Sequence, residues 1–197
     1  MENFLPLQVI VKKDFRGLKK NTIYDFTDTL FILDDNGKGK STLLKGVLSA
    51  NNSDSDINNQ TPKDVIDLPA AGICTIGYFG QDSNLKTLGY IPDENFSLSI
   101  NSLKSSSGES TFEQVLSVII KSDIIILDEP CSSLSIRNIR RLVFLIKTIS
   151  EKDNKSFIIC EHNETFLNFF KKEKAYRVNG SSYLVGDYIK EQYEADI

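Results

Sequence analysis

Ile124-Ile125-Ile126-Leu127 is an unbroken apolar run that stops abruptly at Asp128. A strand with one face in water alternates apolar and polar side chains, so a run without alternation has to be buried on both faces. That places it inside a sheet covered by helices on either side. Leu30 to Leu33 and Phe157 to Cys160 have the same character. Around these runs, apolar residues recur at helical spacing: Leu43, Leu44, Val47 and Leu48 behind Ser41 and Thr42; Phe112, Val115, Leu116, Ile119 and Ile120; Ile136, Ile139, Leu142, Val143, Ile146 and Ile149; and Phe166 to Phe170. Short buried strands alternating with helices predict an α/β fold on a mainly parallel central sheet.

The flanking segments complete this reading. Leu7, Val9 and Val11, alternating with Gln8 and Ile10, predict an N-terminal edge strand, followed by a basic loop through Lys12, Lys13, Arg16, Lys19 and Lys20. Ser49 to Pro62 is polar and reads as a loop, and Ile73 to Phe79 reads as a strand. Asn179-Gly180, between Ala175 to Val178 and Tyr183 to Val185, is a hairpin turn signal, and a last helix is expected from Asp187.

With 197 residues, 40% of them hydrophobic, the chain has material for one sizeable core, and neither a repeat nor a linker divides it, so residues 1–197 are expected to form a single domain. No apolar run approaches the roughly 18 residues of a membrane helix. Met1-Glu2-Asn3 opens without a basic flank or an export-length apolar stretch, so a cytoplasmic location is expected. The net charge of −4 gives no general attraction to nucleic acid or anionic lipid. The basic clusters at Lys12 to Lys20, at Arg137, Arg140 and Arg141, and at Lys171 to Lys174 read as solvated faces. Cys74, Cys131 and Cys160 are odd in number and widely spaced, which predicts reduced thiols and no zinc site.

Chemistry enters at Asp34-Asp35-Asn36-Gly37-Lys38-Gly39-Lys40-Ser41-Thr42, between a buried strand and a helix. Glycines there let backbone N–H groups close around phosphate oxygens, and the helix start adds its positive dipole end. Lys40 would reach the terminal phosphates and Ser41 would bind magnesium. The segment resembles the Walker A motif, with Asp34 where that pattern has its first glycine. Aspartate tolerates the left-handed conformation, which would preserve the turn. A second anchor is Asp128-Glu129-Pro130 at the end of the Ile124 to Leu127 strand, resembling Walker B with its catalytic glutamate. There Asp128 would hold hydrated magnesium and Glu129 would polarise the attacking water.

In their order the remaining motifs resemble those of the ATP-binding cassette, or ABC, ATPase family. Gly77-Tyr78-Phe79-Gly80-Gln81-Asp82 is similar to its Q-loop, and Ser105-Ser106-Ser107-Gly108-Glu109 is similar to its signature, with Ser107 replacing a glycine and Glu109 a glutamine. Ser132-Ser133-Leu134-Ser135 resembles its D-loop, with Ser135 for aspartate, and Phe157 to His162 resembles its switch strand. The spacings, 41 residues from Lys40 to Gln81, 22 from Ser106 to Asp128 and 34 from Asp128 to His162, resemble the family's. The resemblance implies a P-loop NTPase fold with an N-terminal antiparallel β part and a helical subdomain at about 82–121. That subdomain is shortened, since only 25 residues separate Gln81 from Ser106.

By the same resemblance, ATP and Mg2+ are the cofactors. Gln81 would contact magnesium and the attacking water, His162 the γ-phosphate, and Phe15 the adenine ring. Asn36, Gly37, Lys38, Gly39, Lys40, Ser41 and Thr42 would cradle phosphate from one subunit, with Ser106 and Gly108 of a second cassette closing the site. The partners implied are that second cassette, identical or different, and a membrane-spanning permease that would hold the chain at the inner face of the cell membrane. A non-transporter cassette acting on nucleic acid or on a protein is the alternative, favoured by the short helical region and Glu109, although nucleic acid is not the preferred partner. A weakly hydrolysing switch and a nucleotide kinase are further readings; Asp128-Glu129-Pro130 followed by a D-loop-like segment and His162 fits the kinase poorly.

Overall fold

The computed structural model describes residues 7–51, 64–69, 75–80, 107–152 and 155–195. Two sheets organise them. The larger has six strands in the order β5 (Ile76–Phe79), β6 (Ile124–Asp128), β7 (Ser156–Cys160), β3 (Thr29–Ile32), β8 (Lys174–Tyr176) and β9 (Ser182–Leu184). The first five pair in parallel and β9 closes the edge antiparallel. The smaller sheet is antiparallel, in the order β2 (Ile23–Phe26), β1 (Leu7–Val11) and β4 (Ile66–Asp67).

The apolar runs occupy the centre of the large sheet for the reason that their composition requires. Ile125 and Leu127 of β6, with Phe157 and Ile159 of β7, face one hydrophobic cluster. Ile124 and Ile126, with Ile158 and Cys160, face the other. Helices α2 (Ser107–Lys121), α3 (Ile136–Lys152) and α5 (Val185–Ala195) and the short α4 (Glu164–Leu167) cover the first side through Val115, Ile119, Ile139, Leu142, Ile146, Phe166 and Tyr188. On the second side α1 (Lys40–Asn51) and the antiparallel sheet bury Leu43, Leu44, Val47, Val9, Val11 and Tyr24. Every interior strand thus loses both faces to apolar neighbours.

Several boundaries differ from the sequence expectation. The N-terminal strand is the middle of its sheet and not an edge, because Ile23–Phe26 and Ile66–Asp67 pair on its two sides. Helix α1 continues through residues 49–51, where the polar composition predicts loop; Ser49 Oγ donates back to the Lys45 carbonyl at 3.0 Å inside the helix. The last helix starts at Val185, with Asp187 in its first turn. The amphipathic segment at Phe166 to Phe170 divides into α4 and a 3₁₀ turn at Asn168–Phe170. Of the helical subdomain expected at 82–121, residues 82–106 lie outside the described residues, and 107–121 form α2, packed against β5 and β6.

Candidate functional site

The phosphate-loop segment leaves the carboxyl end of β3. Leu33 N still donates to Tyr176 O (3.0 Å), and the chain then turns through residues 34–39 into α1. Gly37 and Gly39 have φ of +78° and +103°, values an L side chain strongly resists. Gly39 is constrained twice, since a Cβ there would sit 2.7 Å from the carbonyl oxygen of Arg16. That oxygen belongs to a tight turn in which Phe15 and Leu18 exchange hydrogen bonds of 3.1 and 2.9 Å. The turn packs directly on the loop, and a Cβ on Gly17 would likewise meet Lys38 O at 2.7 Å. Phe15 is therefore carried beside the loop, half-buried against the second cluster, with the Arg16 guanidinium 5.3 Å from its ring centre.

Lys40 is buried, and its ammonium donates to the carbonyls of Asp34 (2.7 Å) and Asp35 (2.9 Å). Both acceptors belong to the loop itself, so the loop is folded around its own cation. The expectation that Asp34 would mimic glycine by going left-handed is wrong. Among the described residues the non-glycine positions with positive φ are Arg16, Asn21 and Glu129. Asp34 instead uses its side chain: Oδ2 accepts from Val178 N (3.0 Å), Oδ1 accepts from Asp35 N (3.0 Å), and the Arg177 guanidinium stands 3.7 Å away. The carboxylate is thus engaged with the exit of β8.

Beside the loop, β6 ends in Asp128, buried, with Oδ2 accepting from the Tyr78 hydroxyl at 3.1 Å. Glu129 follows with φ of +53° while its N–H donates to Cys160 O (2.8 Å). A half-buried glutamate in that region is strained, and such strain concentrates where a side chain must be aimed. The next strand, β7, ends in Glu161 and His162. Glu161, to which no motif assigns a role, is buried, and its carboxylate accepts from Cys131 N (2.9 Å), His162 N (2.8 Å) and Asn163 N (2.9 Å). It ties the turn after β6 to the turn after β7. The only sequence signal for it is an acid behind an apolar run, because its partners are backbone groups from two separate loops.

His162 Nδ1 lies 2.9 Å from the Tyr188 hydroxyl, and Nε2 is buried with no hydrogen-bond partner among the described residues. Burial, followed by the nearby Lys40 ammonium, pushes the imidazole pKa below its usual value, so the ring is neutral near pH 7. Asp128, Glu129 and Glu161 act on the same ring in the opposite sense. The structure therefore brings Lys40, Asp128, Glu129 and His162 together at the carboxyl ends of three adjacent parallel strands, where open α/β sheets form their ligand crevices.

Asn36, Lys38 and Ser41 are exposed on the loop and first helical turn, and Thr42 is half-buried. The oxygen donors Asp128 and Ser41 suit a hard cation that keeps waters and phosphate oxygens. Among the described residues no cluster of three His, Cys, Asp or Glu side chains forms a metal cage. Gly108 falls in the first turn of α2, whereas Gln81 and Ser106 lie outside the described residues. The D-loop-like turn reaches α2 through a 2.8 Å hydrogen bond between the Ser133 and Thr111 hydroxyls. Cys131 and Cys160 are buried free thiols whose pKa values burial raises.

A glycine-bearing loop from a parallel strand into a helix, with an Asp-Glu pair ending the strand two places away, defines the P-loop α/β fold. The comparisons with solved structures narrow this to the fold of ATP-binding cassettes. A nucleotide-free ATP-binding cassette from an ABC transporter superposes with a TM-score of 0.62 at 14% identity, covering 96% of both chains. The dimeric bacterial ABC transporter cassette MJ0796 gives 0.61 at 16% identity, over 91% of this chain and 98% of that one. A metal-chelate-type ABC transporter in an inward-facing conformation gives 0.59 at 16% identity, over 93% of this chain and 85% of its own. No protein-family model and no curated protein matches the sequence.

Proposed function

We propose that the chain binds ATP with Mg2+ and hydrolyses it as the nucleotide-binding subunit of an ABC transporter, pairing with a second cassette to drive a separate membrane permease. The observation that carries this reading is the convergence, beside a glycine loop, of Lys40, Asp128, Glu129 and a His162 whose Nε2 has no partner among the described residues. Loop N–H groups and the start of α1 would hold the phosphates, and Lys40 would exchange a loop carbonyl for a phosphate oxygen. Glu129 would take a proton from the attacking water at its carboxylate, and His162 Nε2 would meet the γ-phosphate. Asp128 and the Ser41 hydroxyl, with Gln81, would hold magnesium, which would supply charge neutralisation to the phosphates.

The strand order supports pairing of two cassettes. Helix α2 packs on β5 and leads directly into β6, so a signature at its start would lie towards that edge of the sheet, while the phosphate loop follows β3. Three strand spacings separate β5 from β3, about 14 Å at the usual spacing. A signature this far off would meet a phosphate loop on another chain. Glu129→Gln removes the base and keeps the shape, so it should trap an ATP-bound dimer. A monomer in ATP and magnesium by light scattering overturns this reading.

The short interval from Gln81 to Ser106 favours a second reading, a non-transporter cassette acting on a protein or on nucleic acid. Among the described residues no helix is long and apolar enough to cross a membrane, so under the first reading the membrane path is formed outside them. Pull-down of tagged Glu129→Gln protein in ATP, magnesium and mild detergent separates the two. A stoichiometric multi-span protein supports the transporter, and a non-membrane protein or nucleic acid supports the alternative.

A further inference from the structure

Tyr188 carries no motif, yet it touches the one histidine of the chain. It is buried in α5, with its ring packed in the first cluster and its centroid 6.3 Å from that of Tyr183. Its hydroxyl is 2.9 Å from His162 Nδ1, and the two ring centroids are 6.4 Å apart. Nε2, on the other side of the imidazole, is buried and has no hydrogen-bond partner among the described residues.

We propose that Tyr188 is a positioning residue: its hydroxyl donates to His162 Nδ1, which keeps the imidazole proton on Nε2 and leaves that N–H as the donor for a γ-phosphate held near Lys40, Asp128 and Glu129. This rests on the ATP reading for the identity of the ligand, though not for the tautomer. A neutral imidazole has one N–H and one lone pair, and the partner of one nitrogen decides the role of the other. If Nδ1 carried the proton, Nε2 would be a buried lone pair within the influence of Asp128, Glu129 and Glu161, and would repel any phosphate oxygen. With the phenol donating, the same atom becomes a donor towards an anion. The phenol can keep that role because burial and the nearby Asp35 raise its pKa to about 12, so its proton stays on oxygen at neutral pH. Helix α5 thereby gains a link to a site built almost wholly from the sheet.

Tyr188→Phe tests this, because the ring stays in the core and only the hydroxyl is lost. Since the chain has a single histidine, a long-range 1H–15N spectrum of the imidazole reads one ring without assignment. We expect a pure Nε2–H tautomer with Nδ1 as acceptor in the unaltered protein, and a mixture in Tyr188→Phe. The variant's kcat for ATP should fall about tenfold with KM within about twofold, less than deletion of a whole transition-state donor costs. An Nδ1–H tautomer in the unaltered protein overturns the proposal, as does an unchanged tautomer in the variant, whatever its kcat. Should the variant fail to fold, the spectrum of the unaltered protein still decides. Absence of ATP hydrolysis by the unaltered protein would instead sink the ATPase reading and leave the tautomer result standing.

Discussion

Replacing Asp34 by glycine would restore the residue that phosphate loops usually carry, and by sequence logic it should be neutral or helpful. The structure predicts the reverse. The Asp34 carboxylate accepts from Val178 N and Asp35 N, both at 3.0 Å, and faces Arg177 at 3.7 Å. In Asp34→Gly the Val178 N–H is stranded in a buried setting, at a cost of about 1–3 kcal/mol. Added backbone freedom costs a further ~0.5–1 kcal/mol. The ion pair with the partly exposed Arg177 adds under about 1 kcal/mol. The sum, about 1.5–5 kcal/mol, corresponds at roughly 2–4 °C per kcal/mol for a chain of this size to a melting point lower by about 3–20 °C. Asp34→Asn keeps one acceptor and should fall between the two. The assay is thermal and urea unfolding of the three proteins side by side. Equal or greater stability of Asp34→Gly would refute the reasoning, since it would mean that the carboxylate clamp contributes nothing.

Gly39→Ala should cost far more than Gly37→Ala, about 2–4 against about 1–2 kcal/mol, because only at Gly39 does a Cβ run into fixed backbone, 2.7 Å from Arg16 O. Urea melts that rank the two variants the other way would contradict the packing of the Phe15 turn on the loop. For His162 the folded pKa lies below the ordinary value of 6.5. Between the two values the unfolded chain binds more protons than the native one, so stability is full above about pH 6.5 and declines as pH falls through the folded pKa. Comparing unfolding between pH 7.5 and 5.5, His162→Gln should lose less stability than the unaltered protein; identical losses would show that the ring is not held neutral.

The strand and helix alternation was legible because a run such as Ile124 to Leu127 permits no other placement than a strand covered on both sides. The phosphate loop was legible because it is contiguous. Less was legible where a contact joins distant segments. Ile23 of β2 is exposed while Tyr24 and Phe26 are buried, a pattern that only pairing with β1 selects. The two residues of β4 exist as a strand only because β1 lies beside them.

Residue order along the chain carries the local chemistry: which residues form buried strands, where a loop with glycine at 37 and 39 meets a helix, and that Asp128, Glu129 and His162 stand at strand ends. Those properties depend on neighbours along the chain, and period and residue type record them. What Asp34 does beyond its bond from Asp35 N was decided only in three dimensions, since Val178 lies 144 residues away and Arg177 precedes Val178. The same holds for Glu161, which binds Cys131 N across 30 residues, and for Tyr188, which reaches His162 from the last helix. A carboxylate or a phenol has the same side chain whether it caps a loop, pairs with an arginine or meets water. Its role is set by which donors folding brings within 3 Å of it, and that depends on strand order and not on local sequence.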